Sequence, residues 1–307
     1  MGISVRRVAG RADEELSLEL ANEVWPQHAV TMDEVDSFKR AVVAHADHLA
    51  LLDDEPAGSG FVAIQPQRPN VGLALITVLP GRRRRGVGTA LYRELSRWCA
   101  AQGLVTIEAR VEEDDEESLG YARRRGFVEV ERNGQMALDL AKLELPPVAP
   151  PPGVEIVSWA ERPQITRGIY EVAVEAYADV PGADDEEMES FDDWLAHDMQ
   201  GSGDRPDATF VALADDEVVG YAKFSLTAAQ PTVAFHDMTG VKRAWRGRGV
   251  AGALKRAQIG WAKQHGYERL VTGNELRNEP IRRLNASLGY REAPGRVLMR
   301  GPLAPDS

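Results

Sequence analysis

The sequence predicts an α/β protein, in detail an α+β arrangement with a mixed sheet, made of two tandem copies of one domain. Three observations carry that prediction: a proline-rich break near the middle, a repeat that stays in register across it, and strand-like and helix-like periodicities that alternate within each half.

The break comes first. At ~150 residues per domain the 307 residues suit two compact units. Between Leu143 and Gly153, Pro146, Pro147, Pro150, Pro151 and Pro152 prevent a regular helix and favour an extended spacer. The expected organisation is therefore an N-terminal domain over 1–142, a linker over 143–153 and a C-terminal domain over 154–302.

The repeat follows from aligning the halves at a fixed offset. Val78 then meets Val241, Arg83 meets Arg246, Gly86 meets Gly249, Leu91 meets Leu254 and Trp98 meets Trp261, and Gly126-Phe127 meets Gly289-Tyr290 without a gap. Each half reads as a strand, two helices, a run of strands, a helix, a strand, a second helix and final strands. In the second half, strands are expected at 210–214 and 218–226 around Asp215-Asp216-Glu217, and at 232–241. Val250, Leu254, Ala257 and Trp261 recur at helical spacing, Gly266 supplies a left-handed stop, and a short strand is expected at 269–272.

Composition narrows the function. A formal charge of −12 repels phosphate backbones and anionic lipid, which argues against nucleic-acid or membrane-surface binding as the main role. The lone Cys99 excludes an internal disulfide and a cysteine-rich metal cluster. No apolar run approaches the ~18 residues of a membrane span, so a cytoplasmic location is expected.

The informative segment is Val241-Lys242-Arg243-Ala244-Trp245-Arg246-Gly247-Arg248-Gly249-Val250-Ala251-Gly252, a strand end, a basic glycine-rich loop and a helix start. Small residues let backbone N–H groups approach an anion, and the helix adds its unsatisfied donors and positive end, so the segment reads as a pyrophosphate cradle. The first half repeats it as Arg82-Arg83-Arg84-Arg85-Gly86-Val87-Gly88-Thr89. Neither copy carries the Lys-Ser/Thr pair of a P-loop or the third glycine of a dinucleotide fingerprint.

Arg246-x-x-Gly249-x-Ala251 and Arg83-x-x-Gly86-x-Gly88, each after a strand ending in valine, resemble the acyl-CoA signature of the GNAT N-acetyltransferase superfamily. The resemblance covers both halves, and the tandem layout is similar to double-domain acetyltransferases of actinobacteria. It implies acetyl-CoA as acyl donor, held by Val241, Arg246, Gly247, Arg248, Gly249, Val250, Ala251 and Gly252, with Asn278 as the family's second signature. It also implies that the Val241 backbone N–H polarises the thioester carbonyl. Arg83, Gly86 and Gly88 are the corresponding cofactor-binding residues of the first half.

One departure concerns the proton donor. The family's frequent general-acid tyrosine would fall four residues before Gly289, where this chain has Asn285; Tyr290 reads as a packed strand aromatic. The first half has Asp115, within the acidic stretch Glu112-Glu113-Asp114-Asp115-Glu116-Glu117, for Asn278 and has Ala122 for Asn285, and it is expected to be partly degenerate and to bind CoA poorly or not at all. For the base, His236 and Asp237 lie where the family often places a histidine or carboxylate, and strand alternation allows one of them to face the cleft unless a bulge intervenes.

Weaker candidates remain. His45 and His48 have helical metal-ligand spacing but no carboxylate or cysteine companion in the same turn, so no metal is expected. Asp184-Asp185-Glu186-Glu187 and Asp192-Asp193 could attract a cationic amine or form a solvated helix face, and Glu108 could be a base or an ion-pair member. The expected activity is direct acetyl transfer to a primary amine of a small molecule in the C-terminal domain, by a monomer or homodimer; the alternative is a non-catalytic acyl-CoA-binding or partner-binding protein.

Overall fold

The computed structural model describes residues 2–141, 143–144, 147–180, 188–275 and 278–305. It is an α/β protein whose contacts form two units, Met1–Arg132 with Gly295–Ser307, and Asn133–Pro294.

Unit 1 opens with β1 (Ile3–Arg7), α1 (Arg11–Val24), α2 (Met32–Ala41), β2 (Ala44–Leu52), β3 (Glu55–Gln65) and β4 (Arg68–Val78). It continues with α3 (Val87–Ala101), β5 (Thr106–Glu112), α4 (Glu116–Arg123) and the start of β6 (Val128–Asp139). The rest of β6 enters unit 2, followed by β7 (Val154–Ser158), α5 (Thr166–Tyr177), α6 (Phe191–Trp194), β8 (Phe210–Ala214), β9 (Glu217–Ser225) and β10 (Val233–Val241). Unit 2 then adds α7 (Val250–Gln264), β11 (Arg269–Glu275), α8 (Glu279–Ser287) and the start of β12 (Arg291–Pro302). Among the described residues no helix is long and apolar enough to cross a membrane.

The strand order is β1-β2-β3-β4-β5-β12 in unit 1 and β7-β8-β9-β10-β11-β6 in unit 2. β4/β5 and β10/β11 are the parallel pairs, each joined by the helix that follows the glycine-rich loop. The expected strands at 210–226 and 232–241 are present, with Asp215 and Asp216 at positive φ in the tight turn between β8 and β9.

The contact units do not coincide with the sequence halves 1–142 and 154–302. Residues of β6 pair with β11 from Asn133↔Glu275 to Asp139↔Arg269, and β12 pairs with β5 from Arg296↔Glu112 to Pro302↔Thr106. Each half thus sends its last strand into the other unit. Burial enforces the exchange: Met136, Leu138 and Leu140 lie in the core under α7, whereas Val297 and Met299 lie in the core under α3. Cys99 is buried in that second core, where burial raises its thiol to about 11.

Candidate active site

Each parallel pair opens into a splay. β10 and β11 pair from Val233↔Arg269 to His236↔Thr272, after which β10 runs on to Val241 unpaired with β11. β4 and β5 pair from Gly72↔Ile107 to Ala74↔Ala109 before β4 runs on to Val78. Val241 and Val78 therefore border an opening between strands, immediately before the basic loop.

The two loops are built alike. Gly249 caps α7 and Gly86 caps α3, both at φ +93° in the left-handed region that L side chains avoid. With neither cap providing a side-chain acceptor, the first-turn N–H groups keep the unsatisfied donors an anion requires. A Cβ at Gly247 or Gly249 would meet no protein atom within 4 Å, so the space above the loop is open to a ligand. These features fit the diphosphate of acetyl-CoA.

The arginines brace the loops. Arg246 Nε donates to Val241 O at 2.9 Å and Arg246 Nη1 pairs with Asp179 at 2.7 Å, while Arg243 forks onto the same carboxylate at 2.7 and 2.8 Å. Asp179 is held at about 2 by these hydrogen bonds. Arg83 Nε likewise donates to Val78 O, at 3.2 Å. Of the other residues expected to hold the donor, Val250 is buried in the core with Leu254 and can offer a ligand its backbone alone. A Cβ at Gly252 would meet only the far end of the Arg256 side chain at 3.0 Å and Leu284 Cδ1 at 3.6 Å, so Gly252 sits where a small residue keeps the helix start accessible but no backbone crowds it. Arg248 lies over the Trp245 ring at 4.9 Å, Ala251 packs beside the core, and Asn278 is the N-cap of α8.

In unit 1 the loop borders a cavity of about 400 Å³ lined by Arg82, Arg83, Gly86, Gly88, Tyr92 and Tyr121. The acidic stretch is used locally: Asp115 caps α4 by accepting from Ser118 N at 2.9 Å, and Glu117 pairs with Arg83 at 3.3 Å. The half expected to be partly degenerate keeps the loop geometry and an open cavity beside it.

The base candidates separate. His236 is buried against Phe224 and Tyr290, shares a 2.9 Å hydrogen bond with Gln258 Oε1, and is held well below the usual imidazole range by burial and then by Lys255. Its ring lies in the core under α7, not half open as Asp237 is. Asp237 is the extra residue of a bulge between His236 and Met238, at the point where the splay begins. The bulge turns its half-exposed carboxylate away from that core and onto Lys223 Nζ at 2.9 Å.

Lys223, on β9, is the centre of a group that periodicity could not reveal. Its buried ammonium also pairs with Asp204 at 2.9 Å and Asp198 at 3.2 Å, and donates to the Asp198 backbone carbonyl. Three carboxylates share one ammonium. Burial raises Asp198 to about 6 and also raises Asp204, against the pull of Lys223. Tyr177 and Tyr221 lie beside the group, both raised by burial.

Other expectations resolve plainly. Asn285 is fully buried and Tyr290 packs against His236, with Lys255 5.6 Å from its ring, so neither side chain is presented to solvent. Lys255 itself is buried and lowered to about 7 by desolvation. His45 and His48 lie on β2, where a three-residue separation puts them on opposite faces; His45 bonds Asp47 at 3.0 Å. Glu108 is a structural ion-pair member between Arg68 and Arg300. Asp193 belongs to the Ser190 cap of α6, and Asp184-Asp185-Glu186-Glu187 lie outside the described residues.

His236→Ala is expected to lower the melting temperature while leaving the acid limb of the rate profile in place. A lost limb with an intact melting temperature would contradict the core assignment.

Comparison with known proteins agrees with this geometry. The profile of the Acetyltransferase (GNAT) family matches residues 14–127 and 166–290. A mycothiol acetyltransferase of Pseudarthrobacter chlorophenolicus is 26% identical over 296 residues, covering 86% of this chain and 82% of that protein. An aminoglycoside N(6')-acetyltransferase type 1 of Stenotrophomonas maltophilia is 30% identical over 124 residues, covering 38% of this chain and 80% of the relative. Among solved structures, a tandem GNAT protein from the clavulanic acid biosynthesis pathway superposes with a TM-score of 0.79 at 20% identity, over the whole of both chains. A GCN5-related N-acetyltransferase from Sphaerobacter thermophilus gives 0.75 at 22% identity, over 99% of this chain and 97% of that one. Two glycine-capped basic loops at two strand splays, matched twice by one family profile, make this chain a tandem member of the GNAT acetyltransferase family.

Proposed function

We propose that unit 2 acetylates a small cationic amine, with Asp237 accepting the proton that the amine must lose. The observation that carries this reading is the position of Asp237, half exposed on a bulge at the splay beside the glycine-capped loop. Acetyl-CoA, when bound, supplies the thioester carbonyl. The Arg246 brace holds the loop against the end of β10, and the Val241 backbone N–H is assigned to polarise that carbonyl. An ammonium acceptor is drawn to a group in which three carboxylates face one lysine. Asp237 takes its proton, the amine nitrogen forms a bond to the acetyl carbon as the C–S bond breaks, and the second proton that the nitrogen sheds passes to the departing thiolate to give the thiol. A relative named for N-acetylation of an aminoglycoside, itself an amine, supports this acceptor class.

The test is thiol release by the full chain from acetyl-CoA with a panel of primary amines and their N-acetylated forms. Release with amines alone supports the reading. Binding of acetyl-CoA without release for any amine would favour the non-catalytic alternative.

The cavity beside the first loop favours a further acyl-CoA site in unit 1. Titration is then expected to give two acetyl-CoA per chain. Gly249→Val should weaken the binding of one of them by more than tenfold, because a β-branched residue resists positive φ and its methyls occupy the approach to the helix N-terminus. Unchanged affinity at both sites would contradict this assignment of the loop.

A further inference from the structure

Unit 1 holds a second cavity, of about 410 Å³, that the chemistry assigned to unit 2 does not use. Its walls include Trp25, Phe38, Phe61, Leu73 and Leu75. Its charged floor comes from β5 and the exchanged strand β12. The register places Glu108, Arg110 and Glu112 opposite Arg300, Leu298 and Arg296, so these six side chains share one face, while Val111, Val297 and Met299 turn into the core.

The carboxylates on that face are already engaged. Glu108 is fully buried and pairs with Arg68 at 2.8 Å and Arg300 at 2.6 Å. Glu112 lies opposite Arg296 but shares a 2.7 Å hydrogen bond with His28 Nε2. Elsewhere in the lining, Lys39 pairs with Glu14 at 3.0 Å and Asp47 at 3.2 Å, and Glu34 closes the capping box with Thr31. Arg110 and Arg296 are different. They are diagonal neighbours, both exposed to the cavity, and among the described residues neither has a carboxylate within ion-pair distance. The surrounding protein and then Arg110 hold the Arg296 guanidinium below the usual arginine range, with Glu112 opposing. Two adjacent guanidiniums over an aromatic-walled cavity, with no carboxylate partner of their own among the described residues, are poised to capture an anion locally.

We propose that this cavity binds a small molecule with an apolar body and a carboxylate, the carboxylate bridging Arg110 and Arg296 and the body lying among Trp25, Phe38 and Phe61. The site is independent of the transfer assigned to unit 2. It is completed by the C-terminal strand, which alone brings Arg296 to unit 1. The cavity shares Trp25, Ala74, Leu75 and Arg110 with the one beside the basic loop, so the bound carboxylate adjoins the acyl-CoA space.

Calorimetric titration of the full chain, saturated with acetyl-CoA so that the donor's own anionic groups are accounted for, tests this with 4-phenylbutyrate and its neutral amide. The carboxylate should bind at least tenfold more tightly than the amide. Arg296→Gln should remove that preference while amine acetylation by the same sample persists, and Arg296→Lys should retain part of it. If Arg296→Gln melts early, Arg110→Gln, which leaves β12 untouched, decides the matter by the same readout. Equal binding of acid and amide, an unchanged preference in a stably folded Arg variant, or no binding of phenylbutyrate up to about 10 mM would overturn the proposal.

Discussion

Asp237→Asn lowers kcat for amine acetylation by about 10²–10⁴-fold and leaves acetyl-CoA affinity near that of the parent. The amide keeps the shape of the carboxylate and cannot accept a proton. The acid limb of the parent profile should have its midpoint near 6, where Asp198 titrates within the group formed by Asp198, Asp204, Asp237 and Lys223, beside Tyr177 and Tyr221. The sign follows from the charge: below the midpoint Asp198 carries a proton, the group is less negative and its attraction for an ammonium falls. Such a midpoint belongs to the coupled group rather than to one residue. A parent-like rate and limb in Asp237→Asn, measured in single turnover with acetyl-CoA saturating, would place the proton acceptor elsewhere.

Lys223→Met destabilises unit 2 by about 3 kcal/mol, the low end for removing one partner of a buried ion group, because Asp237 remains half open to water. For a unit of this size that corresponds to a melting temperature roughly 6–12 °C lower. The loss should shrink as pH falls. Asp198 already titrates at about 6 in the folded chain against 3.8 as a free side chain, so folding takes up a proton between those values and stability declines as pH rises through that window. Without the ammonium the carboxylates are raised further, and the variant should recover stability toward pH 4 more steeply than the parent. Equal losses at pH 5 and pH 8, followed by circular dichroism, would show that Lys223 acts through packing alone.

Much of the fold and part of the site were legible in the residues. The register of Gly86 with Gly249 announced both loops, because a helix cap at positive φ admits little besides glycine and leaves that residue in place in both copies. The strands at 210–226 were legible as two short apolar runs on either side of Asp215-Asp216, where a tight turn suits short polar side chains. The base was not. His236 and Asp237 are adjacent and equally polar, and the bulge that sends one to the core and the other to Lys223 depends on the pairing of β10 with β9. His45 and His48 misled for a related reason, since three-residue spacing has opposite meanings on a helix and on a strand.

The sequence by itself determined that the chain is a duplicated α/β protein with two glycine-capped basic loops of the GNAT type, because those features rest on local rules: φ at glycine, periodicity and proline punctuation. The tertiary structure alone decided which residues meet across long separations. β6 and β12 carry apolar alternation that would satisfy either core, and whichever core buries Met136 and Leu138, or Val297 and Met299, is settled by packing rather than by any signal along the chain. The same holds for Lys223, whose three aspartates arrive from the segment after α6, from the loop before β8 and from β10, and for Arg296, which reaches Arg110 through the exchanged strand. Side-chain charge is written in the sequence, but the burial and the neighbours that give it a chemical use exist once the strands have paired.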